Sequence, residues 1–274
     1  MSILSEVKAT YAARQTKPLR RRGQNFLINP LIYQQIIKAA ELYPDDVVLE
    51  IGPGLGHLSE LLAQTAKKVL AVEIDKDLVA ILKNKFITQK NLVIISDDAL
   101  QIELKKLKVK KYKIVANLPY NITGAVLRKF LSEKLQPETM TLMLQKEVGE
   151  RVAAQPPEMS LLSNMVQFYG QPKIIAKVSR HNFWPAPKVD SAIVQIKNIH
   201  HPKDIDDNKF FYLLRAGFSS PRKYLLSNLV KNKIWPHGEA VKIFNQLSIN
   251  IQTRAENLNF NQWKDLYQFY GRRH

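Results

Sequence analysis

Asn117-Leu118-Pro119-Tyr120 puts two hydrogen-bond acceptors, a rigid imide and an aromatic face into four consecutive residues. The Asn117 side-chain oxygen and the Leu118 carbonyl can both accept from one amine. Pro119 fixes its own φ and restrains Leu118 to extended backbone, which aims the Leu118 carbonyl. Tyr120 offers a ring on which a base can stack, a contact worth about 1–3 kcal/mol. The set suits the exocyclic amine of adenine, a poor nucleophile because its lone pair is delocalised into the ring. Two acceptors on the amine hydrogens favour a pyramidal nitrogen whose lone pair faces an electrophilic methyl group. The proton can then leave to solvent, so no dedicated base is required. A buried turn would use the same residue types. A stacked base also needs a second wall, and must leave its own stack to reach it. Phe183, in His181-Asn182-Phe183-Trp184-Pro185-Ala186-Pro187, is the candidate lid, although a plain core aromatic would read the same way.

A methyl donor must sit beside that tetrapeptide. The apolar run Val47–Ile51 enters Gly52-Pro53-Gly54-Leu55-Gly56-His57, and glycines at such a turn let backbone approach a ligand closely. Glu73 falls 21 residues after Gly52, at the end of the next apolar run, where a carboxylate can hold both hydroxyls of a ribose. A dinucleotide site would want glycine at position 57, where the helix meets pyrophosphate. Here that position is His57, and the pattern Glu-x-Gly-x-Gly-x-Gly resembles that of class I methyltransferases, which implies S-adenosylmethionine, a ligand without pyrophosphate. A third run ends in Ser96-Asp97-Asp98-Ala99, which places Asp98 where the cofactor's adenine amine is expected, or where a helix N-cap would use it.

These motifs need a parallel sheet to position them. Short apolar runs at 47–51, 69–72, 92–95, 112–116 and 139–144 alternate with helical stretches at about 58–66, 77–86, 123–135 and 145–155. That alternation predicts right-handed βαβ units, with 30–43 as a leading helix and 191–196 as a last strand. Helices without strands follow at 208–218, 222–231, 238–247 and 260–270. The expected division is a basic arm over 1–23, a catalytic domain over 24–198, a linker over 199–207 and a helical domain over 208–274.

Composition narrows the partners. The 274 residues carry a formal net charge of +17, more than the roughly 8 that solubility alone asks of a small domain. Such a surplus captures a polyanion, with affinity that falls steeply with salt. Arg20, Arg21, Arg22, Arg222 and Lys223 are the expected RNA contacts, with the lysine-rich 105–113 stretch a weaker candidate. The absence of cysteine removes disulfides and thiolate zinc sites and suits a reducing cytoplasm. The six histidines show no helical metal-site spacing, so no metal is expected, and no apolar run approaches the ~20 residues that span a bilayer.

Taken in order, the motifs resemble the KsgA (RsmA) family of ribosomal RNA adenine dimethyltransferases over about residues 20–270. They include Gly23–Leu27, Glu50–Gly56, Val72–Asp75, Asp98-Ala99, Asn117–Ile122, Met143–Val148, Pro187–Ala192 and Arg254–Leu258. The resemblance implies a class I, Rossmann-like methyltransferase with a seven-stranded sheet and a small C-terminal all-helical domain. It implies dimethylation of two adjacent adenines in a 3′-terminal hairpin loop of small-subunit (16S) ribosomal RNA, with a role in small-subunit biogenesis. The expected partner is RNA of the immature small subunit, met by a monomer. Asn25 and Leu27 would line the cofactor pocket with Gly52, Gly54, Glu73, Asp98 and Asn117. Tyr120 and Phe183 would sandwich the target base, with Asn117 and Leu118 at its amine. Relatives that methylate large-subunit RNA tend to carry isoleucine where Leu118 stands, and others have become non-catalytic assembly factors. One departure is Pro221, in Ser219-Ser220-Pro221-Arg222-Lys223, where a further basic residue is usual.

Overall fold

The computed structural model describes residues 2–16, 18, 24–107 and 109–271. They form two compact units, Met1–Gly149 with Gln171–Ile199, and Glu150–Gly170 with His200–His274. In chain order the elements run α1 (Ile3–Ala13), β1 (Phe26–Leu27), α2 (Pro30–Ala40), β2 (Val47–Ile51), α3 (His57–Thr65), β3 (Lys68–Glu73) and α4 (Lys76–Lys85). They continue through β4 (Leu92–Ser96), β5 (Lys113–Asn117), α5 (Thr123–Ser132), β6 (Met140–Gln145), α6 (Lys146–Val152) and α7 (Leu161–Tyr169). Three more strands follow, β7 (Gln171–Val178), β8 (Phe183–Trp184) and β9 (Ser191–Lys197). The remaining helices are α8 (Asp207–Gly217), α9 (Leu225–Lys231), α10 (His237–Gln246) and α11 (Phe260–Gly271).

The first unit is built on a seven-stranded sheet in the order β4-β3-β2-β5-β6-β9-β7. Strands β2 to β6 are parallel, β9 is antiparallel to β6, and β7 is antiparallel to β9. Helices cover the sheet, so its central strands read as near-continuous apolar runs rather than alternating ones. The chain builds outward from β2 to β4, then returns to start β5 on the other side of β2. The crevice at the carboxyl ends of β2 and β5 is therefore a topological switch point, where open α/β sheets hold ligands. Helix α2 closes one face. Asn29 caps it by accepting from the Leu31 amide at 3.0 Å, Pro30 opens it, and Ile32, Ile36 and Ala40 turn inward onto the sheet.

The sequence reading did not place α7, the short pair β1 and β8, β7 or α1. Strand β7 was not anticipated because its Lys173, Ile175 and Lys177 lie toward solvent, an alternation typical of an edge strand, and Pro172 is tolerated there. Residues 3–13, read as part of a weakly patterned arm, form α1, whose buried stripe rests on Val7 and Tyr11 alone and so gives little periodic signal. The compact units also divide the chain differently from a catalytic domain running unbroken over 24–198. Residues 150–170 group with the helical unit.

The glycine loop constrains the packing behind it. Gly56 holds φ at 81°, and a Cβ there would lie 2.5 Å from Phe86 Cε2 and 2.8 Å from Leu82 Cδ2. Gly56→Ala combines a left-handed residue with overpacking, so it should destabilise the protein by about 2–4 kcal/mol. Urea unfolding checks this, and an unshifted midpoint would contradict it.

In the second unit, α7, α8 and α11 meet around an aromatic cluster, with Phe168 and Phe210 ring centroids 4.7 Å apart and Phe260 6.1 Å from Phe168. Ser160 and Ser163 form a reciprocal cap at the start of α7. Asn228, buried on α9, donates to the carbonyls of Gly217 at 2.6 Å and Ser220 at 3.0 Å. Those bonds shape the turn that leads into Arg222 and Lys223, both exposed.

Candidate active site

A cleft of about 260 Å³ opens at the switch point of the first unit. Its wall comes from strand ends and the loops after them: Gly52 to Leu55 after β2, Glu73 and Ile74 at β3, Asp97 and Asp98 after β4, Asn117 to Ile122 at β5. Gln24 to Leu27 complete it from the segment before α2. Asn25, Leu27, Gly52, Gly54, Glu73, Asp98, Asn117, Leu118 and Tyr120 thus line one cavity.

Glu73 is 6 % exposed, and backbone amides grip both of its oxygens. Gly54 donates to Oε2 at 3.2 Å and Asp75 to Oε1 at 3.0 Å. Burial raises its pKa, and the amides of Asp75 and Gly54 work the other way. Each oxygen keeps a lone pair for a hydroxyl. Next to it Ile74 is 60 % exposed on the same wall, an apolar face that a planar base could cover. Sequence reasoning passed over Ile74, although an apolar residue directly after an acidic strand end is a usable signal. Asp98 lies on the cleft wall in a turn and caps no helix. Its Oδ1 accepts from the Leu100 amide at 2.8 Å, and among the described residues Oδ2 has no partner.

The wall carries Glu50, Glu73, Asp97 and Asp98 but, among the described residues, no lysine or arginine. In a chain with net charge +17 that is a local inversion. At the first turn of α3, where pyrophosphate would need the helix N-terminus, His57 Nε2 meets the Glu6 carboxylate from α1 at 2.9 Å. The cleft therefore fits a nucleoside bearing a cationic sulfonium and disfavours a pyrophosphate.

Glu50 lies deeper, 1 % exposed, with Ser59 Oγ donating to it at 2.5 Å. Burial pushes its pKa up to about 8, Ser59 lowers it, and Glu73 nearby raises it. The folded protein thus keeps a proton that the unfolded chain gives up near the ordinary value of 4.5. That contribution to stability is complete below pH 4.5 and is lost as pH rises through about 8. The loss is at most about 1.4 kcal/mol per pH unit. Glu50→Gln should flatten this slope. Unfolding free energies of the ligand-free protein at pH 5.5 and 8.0 check it, and an equal decline in both proteins would contradict the assignment.

At β5 the geometry is open for chemistry. The Leu118 amide donates to the Met143 carbonyl at 3.2 Å, which anchors the tetrapeptide to β6. Among the described residues, neither the Asn117 side chain nor the Leu118 carbonyl has a hydrogen-bond partner. Pro119 holds φ −56° and ψ 129°, and Tyr120 begins a short 3-10 turn.

Phe183 is the exception. It is 3 % exposed, pairs with Leu27 through the β1–β8 ladder, and packs with Tyr33, Met143 and Ile193 in the core rather than on the cleft wall. Phe183 is thus not on the cleft wall itself but pairs with Leu27, which is, and Trp184 lies beside Tyr11 of α1. Arg20, Arg21 and Arg22 lie outside the described residues. The end of the 105–113 lysine stretch is not an RNA contact. Lys113 is buried, 2.8 Å from Asp46 Oδ2 and donating to the Glu41 carbonyl at 2.8 Å. Among the described residues no helix is long and apolar enough to cross a membrane, and no group of three or more metal-ligating side chains occurs.

The sheet order and the acidic nucleoside cleft at its switch point define a class I, Rossmann-like methyltransferase. The profile of the ribosomal RNA adenine dimethylase family matches residues 17–271, and the chain belongs to that family. It is an S-adenosylmethionine-dependent methyltransferase. A ribosomal RNA small subunit methyltransferase A from Dehalococcoides mccartyi is 39% identical over 274 residues, covering 98% of this chain and 94% of the relative. A protein of the same name from Fusobacterium nucleatum is 36% identical, covering 93% of this chain and 98% of the relative. Among solved structures, a dimethyladenosine transferase from Plasmodium falciparum superposes with a TM-score of 0.76 at 27% identity, over 89% of this chain and 96% of that one. The 23S rRNA methyltransferase ErmE gives 0.76 at 26% identity, over 90% and 100%.

Proposed function

We propose that this chain dimethylates two adjacent adenines in a 3′-terminal hairpin loop of small-subunit ribosomal RNA, acting as a monomer on the immature subunit in the cytoplasm. The observation that carries the reading is a pair of acceptors on the cleft wall, the Asn117 side chain and the Leu118 carbonyl, that have no hydrogen-bond partner among the described residues. The names of the bacterial relatives support the small-subunit substrate.

S-adenosylmethionine supplies a sulfonium-bound methyl group. Glu73 would hold the ribose hydroxyls, Ile74 would cover the cofactor's adenine, and Asp98 Oδ2 would accept from that adenine's amine. Gly52 and Gly54 would admit the ligand against bare backbone, while Asn25 and Leu27 would cover it from above. Tyr120 would stack the target base, and Asn117 and Leu118 would take its two amine hydrogens. This sets the nitrogen lone pair toward the methyl carbon. The cofactor would supply the methyl group and leave as the neutral thioether, and the amine proton would depart to solvent. A monomethylated amine retains one hydrogen, which either acceptor can hold, so the same pocket serves the second transfer. Phe183 would act from behind, supporting Leu27.

Arg222 and Lys223 would contact RNA phosphates. Arg222→Ala should weaken binding at every sequence and reduce the slope of log affinity against log salt by about 1. An unchanged slope would remove Arg222 from the contacts. The function itself is tested by offering labelled cofactor to unmodified small subunits, naked small-subunit RNA and large-subunit RNA. Label on the immature small subunits is expected, whereas label confined to large-subunit RNA would reassign the substrate.

A further inference from the structure

Tyr120 is joined to a residue 71 positions away: its hydroxyl lies 2.8 Å from Ser191 Oγ. Ser191 is 0 % exposed and opens β9 between two strands, in register with Gln145 of β6 and Val178 of β7. Its backbone is therefore held on both sides. The residue before it is fixed too, since Lys146 donates to the Asp190 carbonyl at 2.9 Å and the Arg180 amide donates to Asp190 Oδ1 at 3.0 Å. Tyr120, by contrast, sits in a 3-10 turn outside the sheet. A tyrosine ring held only at its Cβ can swing between staggered χ1 wells and turn broadly about χ2. A second tether at the para hydroxyl fixes both ends of the ring and so sets its plane.

We infer that Ser191 is a positioning residue, which orients the Tyr120 ring for the target adenine by holding its hydroxyl. This rests on the reading of Tyr120 as the stacking ring. Orientation matters because the base plane sets the direction of the amine lone pair, and small angular errors lower a transfer rate without weakening binding to the same degree. Burial keeps the Tyr120 hydroxyl protonated above its ordinary range, so it remains a neutral hydrogen-bonding group through the working pH.

The test is a double-mutant cycle in single-turnover methyl transfer at saturating cofactor, with Tyr120→Phe, Ser191→Ala, the double variant and Tyr120→Ala. Loss of one hydrogen bond corresponds to roughly 3–10-fold. Each single variant should therefore slow transfer by about that factor, with KM for RNA and the cofactor Kd little changed, and the double variant should be no slower than either single one. Tyr120→Phe leaves no cavity, so it reads the tether even where Ser191→Ala disturbs folding. Multiplying effects, or wild-type rates in both single variants, would overturn the inference. If Tyr120→Ala is slow while Tyr120→Phe and Ser191→Ala are not, the tether fails and the stacking role stands. If Tyr120→Ala is as fast as wild type, the stacking role fails and the inference with it.

Discussion

Asn117→Ala is expected to slow methyl transfer at saturating cofactor by about 10²–10³-fold, the usual cost of removing a preorganised group aimed at developing charge. In the resting state the target amine is nearly planar and its hydrogens are weak donors. As the nitrogen becomes pyramidal and gains positive charge, those hydrogens become strong donors, so the Asn117 oxygen contributes more in the transition state than before it. Only such differential binding raises a rate. The Leu118 carbonyl is backbone and survives the substitution, so a residual rate above background is expected. Asn117 also borders the cofactor cleft, but it makes no hydrogen bond within the described residues whose loss would collapse the loop. Cofactor affinity should therefore change little. Rapid-quench transfer on unmodified subunits measures the first quantity and calorimetry the second. A full rate in the variant would remove Asn117 from the chemistry.

The second large effect is on binding. Glu73→Ala should raise the Kd for S-adenosylmethionine by about 10²–10⁴-fold, since a hydrogen bond to a charged group is worth about 1.5–3 kcal/mol and two hydroxyls are held. The variant also leaves the Gly54 and Asp75 amides without their shared acceptor, which loosens the loop that admits the ligand. Because the contact is to ribose, S-adenosylhomocysteine should weaken by a similar factor. A loss confined to the sulfonium form would instead mean that Glu73 acts by charge alone. Unaltered titrations of both ligands would place the ribose elsewhere.

Much of this site was legible because its parts lie at strand ends, where one motif follows each buried run. Glu73, Asp98 and Asn117 occupy successive carboxyl ends of parallel strands, so reading three runs in order was enough to bring them together. The fold was legible for the same reason, except at its margins. Strand β7 is an edge strand with lysines on its outer face, and α1 buries only a narrow stripe. Neither produces a clear period. The excursion 150–170 was missed because membership of a compact unit is a matter of long-range contacts, which local pattern does not encode. Phe183 shows the same limit from the other side. Its aromatic character is compatible with a lid or a core, and its burial and pairing with Leu27, set by a contact far along the chain, are not encoded in local pattern. The Tyr120–Ser191 contact could not be read at all, since 71 residues separate its members and serine is unremarkable at the start of a strand.

Methylation of the exocyclic amine of adenine in small-subunit RNA is the reaction assigned to this cleft. Its most direct test is to incubate the protein with methyl-labelled S-adenosylmethionine and unmodified small subunits, digest the RNA to nucleosides and separate them. Label should accumulate first in N6-methyladenosine and then in N6,N6-dimethyladenosine, and Asn117→Ala should suppress both. Label in any other nucleoside, or the same dimethyladenosine yield with Asn117→Ala, would contradict it.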